Sequence, residues 1–88
     1  MMKLSNFEFN PTQMVLEFGD KYSLSIINNG YGKDHGLYEI AVFAKGSLTE
    51  MPGITVEGDT VKGYLTEDEV NAIIVKMFTI TGKQPEQV

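Results

Sequence analysis

The chain has no cysteine, no arginine, a single histidine, and no apolar run of membrane-spanning length. Without cysteine there is no disulfide framework and no thiolate zinc site, so packing or self-association must hold the fold together, and an intracellular setting fits best. Without arginine, the basic residues are only the scattered lysines Lys3, Lys21, Lys33, Lys45, Lys62, Lys76 and Lys83, against twelve acidic residues, for a formal charge of −5. A nucleic-acid surface needs a basic stripe that displaces counterions from phosphates, with arginine for bidentate contacts. Direct nucleic-acid binding is therefore not expected. The start, MMKLSNFEFN, alternates polar and apolar residues, whereas a signal peptide needs an apolar run of about 7–15 residues and a membrane span roughly 18. Neither a leader nor membrane association is expected.

At 88 residues the chain is of single-domain length, a size at which folding buries only about 60–65% of the surface the unfolded chain exposes. The acids that gather at Glu57 and Asp59 and at Glu67, Asp68 and Glu69 raise the idea of a DNA mimic. The first pair sits in a turn-like stretch and the second trio opens a helix, where acids favour the helix dipole. Local structure accounts for both.

Period-two alternation dominates the first half of the chain. In residues 3–9, Phe7 and Phe9 share one face with Leu4 and Glu8 on the other, and the spacing predicts a strand that Asn10-Pro11 ends. Residues 14–18 and 22–26 predict two more strands, with Met14, Leu16 and Phe18, and then Tyr22, Leu24 and Ile26, on single faces. A two-residue loop at Gly19-Asp20 would set Leu16 against Ser23. A three-residue loop, residues 19–21, pairs Phe18 with Tyr22, Leu16 with Leu24 and Met14 with Ile26, and the buried face selects that register. Residues 37–44, LYEIAVFA, are apolar at nearly every position, as expected of a central strand covered on both faces. Lys45-Gly46 predicts a tight turn into a short strand that Pro52-Gly53 stops, and the following stretch reads as loop with one short strand near Val61.

The helix carries the clearest signals. Thr66 and Glu69 form a capping box, Leu65 and Val70 occupy staple positions, and Val70, Ile73, Ile74, Met77 and Phe78 form an apolar stripe that must cover the sheet. Gly82 and Pro85 stop the helix, and residues 83–88 are expected to be a disordered tail. The expected fold is α+β: a small antiparallel sheet of four to five strands with one C-terminal amphipathic helix packed on one face, a single domain over residues 1–82.

GLYE at residues 36–39 and VKGYLTEDEV at residues 61–70, with Tyr31-Gly32 before them, carry a resemblance over roughly half the chain. The pattern resembles that of a group of small hypothetical proteins encoded by tailed bacteriophages, in which a YG-containing loop precedes GLYE and a hydrophobic strand, and a VxGYLTEEEV segment opens a C-terminal helix. The chain departs from it at Met51-Pro52-Gly53-Ile54, where an acidic D-x-P-I-type stretch would stand. The resemblance implies a phage or prophage origin and expression in the cytoplasm of an infected bacterial host, and it implies no activity.

The stretch NNGYGKDHGLYE, residues 28–39, holds the candidate chemistry. A phosphate cradle requires a helix directly after its glycines, and a strand follows here. Asp34 and His35 are adjacent and lack the further ligands a zinc site needs. A triad of His35 with Ser23 or Ser25 would draw on serines placed mid-strand on a solvated face, with no nucleophile elbow. No catalytic residue, metal or cofactor is expected. A loop of about nine residues exceeds the usual connection, and such loops are often functional. Tyr31, Lys33, Asp34 and His35 are accordingly the candidate protein-binding residues. The expectation is a non-enzymatic accessory protein that acts on a host or defence protein, the partner being a host or phage protein. The alternatives are a virion structural or assembly component, and a small-ligand or nucleotide binder acting through residues 28–36. An exposed sheet edge could also pair two copies into a homodimer.

Overall fold

The computed structural model describes residues 3–9, 12–28, 38–55 and 58–88. The strands are β1 (Gln13–Phe18), β2 (Tyr22–Ile27), β3 (Tyr38–Ala44), β4 (Ser47–Thr49), β5 (Val61–Leu65) and β6 (Pro85–Gln87); the helix α1 (Glu67–Thr81) lies between the last two. They form one six-stranded sheet in the order β4-β3-β2-β1-β6, with β5 on β3. All pairings between these strands are antiparallel. The protein is a small α+β domain with one helix on one face of its sheet.

Alternation sets the register. Met14, Leu16 and Phe18 of β1 stand opposite Ile26, Leu24 and Tyr22 of β2, as the three-residue turn requires. Leu24 and Ile26 in turn stand opposite Val42 and Ile40 of β3. Buried on the same side are Leu65 of β5 and Val70, Ile73, Ile74 and Met77 of α1, with Phe78 packed at the margin. The core is therefore one layer deep between the sheet and the helix.

Gly19 lets the β1–β2 turn close: its φ is +75°, and a Cβ there would come within 2.9 Å of the Lys83 Cγ. Lys45 and Gly46, both at positive φ (51° and 84°), make the two-residue connection between β3 and β4. Two successive positive φ values match the right-handed twist of a hairpin.

Three expectations are corrected. Residues 3–9 are not a sheet strand: Leu4–Asn6 is a 3-10 turn. It carries Leu4 into the core together with Phe7 and Phe9, so the alternating faces merge. The Leu4 N–H donates to the Asn71 side chain of the helix, and Phe9 stacks on Tyr38 at 5.6 Å between ring centres.

Second, the tail is ordered. Residues 85–87 pair antiparallel with β1, the Val88 N–H donates to the Val15 carbonyl at 3.0 Å, and the Glu8 N–H donates to Gln87 Oε1 at 2.9 Å. An uncovered edge of β1 would leave a row of backbone groups unpaired, and these residues supply partners. The domain thus extends through the C-terminal strand. Third, β3 is central, but among the described residues only one of its faces is covered: Ile40 and Val42 are buried while Glu39 is exposed and Ala41 and Phe43 are half-buried. A single helix covers one side only.

Met51 and Ile54 reach the core through a turn in which the Ile54 and Thr55 N–H groups both donate to the Met51 carbonyl at 2.9 Å. The helix begins as its capping box dictates. The Thr66 N–H donates to Glu69 Oε1 at 2.9 Å, and the Glu69 N–H donates to Thr66 Oγ1 at 3.2 Å. At the other end Gly82, in the left-handed region at φ 70°, caps the helix and returns the chain toward β6.

The Thr66 backbone N–H first, and then its side chain, hold the Glu69 carboxyl below its ordinary range. A carboxyl whose folded value is lowered stabilises the fold above its unfolded pKa, about 4.3, and loses that contribution as pH falls through the folded value. Thermal unfolding of wild type and Glu69→Gln across that window should show wild type losing its advantage as the solution is acidified. A pH-independent difference would mean that Glu69 is not ionised in the cap. Thr66→Ala should lower stability at neutral pH by about 1 kcal/mol.

Candidate interaction surface

The strand registers define the side of the sheet turned away from the helix. Val15, Ser25, Ala41 and Val61 lie in one cross-strand row, and Glu86, Glu17, Ser23, Phe43 and Leu48 in the next. Gln13, Ile27 and Glu39 form a third. No described segment forms a second layer over these rows. Val15, Ile27, Ala41 and Phe43 are half-buried. Leu48 (52% exposed), Val61 (39%) and Val88 (77%) stand further out.

Ser25 is buried on this side, accepting a 2.8 Å hydrogen bond from Gln13 Nε2. It is not the solvated serine expected from alternation.

At its β5 border the face carries an irregularity. From Tyr38↔Leu65 to Ile40↔Lys62, β3 advances two residues while β5 advances three. Gly63 and Tyr64 therefore oppose Glu39 together as a β-bulge. Glu39 lies over Gly63, where a Cβ would sit 3.7 Å from the Glu39 carboxylate. Tyr64 takes a φ of 57°, and its side chain is 66% exposed. For a bulky residue that conformation costs about 1–2 kcal/mol. Exposure offers no burial to offset the cost.

The edges of the sheet are poorly suited to pairing with another strand. β4 and β6 are each three residues long, β6 begins with proline, and β5 is bulged. Short, proline-bearing and bulged edges discourage edge-to-edge association.

The sequence-derived candidates Tyr31, Lys33, Asp34 and His35 lie outside the described residues. Among the described residues no group of three His, Asp or Glu side chains could hold a metal ion, and no helix is long and apolar enough to cross a membrane. A shallow cleft of about 210 Å³ beside the helix is lined by Ile54, Lys62, Glu69, Ile73 and Lys76. Glu69 in it is already engaged in the cap.

Sequence reasoning missed the open face because its members come from five strands, each contributing one or two apolar residues. The available signal was the unbroken apolar run in β3 set against a single helix, which can cover only one side. Comparison with protein families, curated proteins and solved structures found no match.

If Tyr64 is displayed rather than structural, Tyr64→Gly should leave stability unchanged or raise it by up to about 1 kcal/mol, because relief of the left-handed strain opposes the entropy of the added glycine. Chemical denaturation measures this. A loss beyond about 1 kcal/mol would show that the ring supports the fold.

Proposed function

We propose that this chain is a small accessory protein of a tailed bacteriophage that acts by binding another protein, a host or defence component in the cytoplasm of the infected cell, without catalysis. The observation that carries this reading is the open face, where Leu48, Val61 and Tyr64 are held out beside half-buried Phe43, Ala41, Val15 and Ile27. Aromatic and aliphatic side chains gathered on a rigid sheet, with polar residues around them, are the usual make-up of a protein-binding patch. Strain at Tyr64 supports it, since an unfavourable backbone conformation at an exposed aromatic brings the fold no compensating burial.

The phage origin rests on the resemblance carried by residues 36–39 and 61–70. The second of these blocks spans β5, with its bulged Tyr64, and the capping box of Thr66 and Glu69. Residues 31–35 remain the loop candidate for the same partner.

Affinity capture from host lysate, with wild type beside Leu48→Ser/Tyr64→Ser and Tyr31→Ala/Lys33→Ala, tests the reading. Wild type should retain a partner near stoichiometry, and the sheet-face variant at least tenfold less. Equal retention by a folded sheet-face variant, or loss only in the loop variant, would place the binding surface elsewhere.

A further inference from the structure

We infer that the partner segment seated on the open face is a cationic one, an apolar stretch of protein flanked by lysine or arginine. This rests on the reading above and adds the partner's chemistry. The charged residues at described strand positions on this face are Glu17, Glu39 and Glu86. No described lysine occupies such a position: Lys62 stands opposite Ile40, on the core side. Lys76 is on the helix, Lys21 and Lys45 are in turns, Lys83 precedes β6 and Lys3 precedes the first 3-10 turn. The whole chain is acidic at −5, and the charges at described strand positions on this face are all negative.

Glu17 and Glu86 stand directly opposite each other in the β1–β6 pair. Like charges in that relation destabilise a sheet, and a cation placed between them would relieve the repulsion. They line a depression of about 310 Å³ together with Gly19, Asp20, Lys83 and Gln84, in which three carboxylates outnumber one ammonium group. Glu39 provides a second acidic point beside Tyr64. Strand and residue spacings put Glu39 about 16 Å from Glu17, with Ser25 and Ala41 between and the Leu48, Val61 and Tyr64 side chains along the margin.

Apolar residues thus lie between two acidic points, and an amphipathic segment of about three helical turns reaches both. A second copy of this chain is a poor occupant, because two such faces brought together would bury glutamates from both sides with no lysine opposite them. Nucleic acid and anionic lipid are repelled for the same reason.

The test uses two synthetic 14-residue amphipathic peptides with identical leucine positions, one with lysine at every polar position and the other with glutamate, titrated into ¹⁵N-labelled full-length protein. The lysine peptide should bind at least tenfold more tightly, should shift the amides of Ala41, Phe43, Leu48, Val61 and Tyr64, and should weaken several-fold as salt is raised. Glu17→Lys/Glu39→Lys/Glu86→Lys should lose at least tenfold in affinity, with the neutral Glu→Gln triple intermediate. Glu8→Lys/Glu50→Lys/Asp59→Lys makes the same change in net charge elsewhere and should lose less than threefold.

Equal binding of the two peptides, equal losses in the two lysine triples, shifts mapping to another surface, or sedimentation showing a dimer formed through this face would each overturn the inference. A lysate partner that requires Leu48 and Tyr64 but ignores charge reversal would leave the protein-binding reading intact and remove only the cationic partner.

Discussion

The contact on which this structure depends is the packing of one helical stripe, Val70, Ile73, Ile74 and Met77, against one face of the sheet. A helix of 15 residues is about 22 Å long, and five strands side by side span about 19 Å between their outer axes. One helix is therefore enough to cover one face. Nothing comparable follows from the rest of the described chain, and the tail is used as a strand. The Leu4 turn and the Met51–Ile54 turn fill the ends of that same layer. On the opposite face no described segment forms a second layer, and Val15, Ile27, Ala41 and Phe43 are half-buried.

Much of the covered face was legible in the sequence because its signals are local. The register of β1 and β2 follows from requiring Leu16 and Leu24 on one side of a three-residue turn, and the start of the helix follows from Thr66 and Glu69 three residues apart. What was not legible depends on contacts far apart in sequence. Alternation in residues 3–9 resembles a strand, yet the Leu4 N–H finds its acceptor on Asn71 of the helix. The polar composition of residues 83–88 suggests disorder, yet the open edge of β1 supplies the pairing that orders them.

The same distinction separates the two candidate surfaces. Residues 31–35 attract notice as a sequence because glycines, an aromatic and charges are contiguous there. The sheet face is spread over residues 13–88, and its most exposed ring, Tyr64, belongs to a segment whose alternation is broken by the bulge. The pattern V-K-G-Y-L gives no hint that Tyr64, rather than Gly63, carries the positive φ. Only the pairing of β5 with Glu39 and its neighbours places that ring at the margin of the face.

An apolar face that no described segment covers, with Glu17, Glu39 and Glu86 at its charged strand positions, is a cost to the isolated domain and an opportunity for a partner. The most direct test is the solvent exposure of that face in the free protein, measured by NMR relaxation from a soluble paramagnetic agent. Signals of Leu48, Val61 and Tyr64 should broaden strongly while those of Leu24, Ile40 and Ile74 do not. Protection of Leu48, Val61 and Tyr64 comparable to that of Ile74 would mean that the face is already covered and would contradict the account.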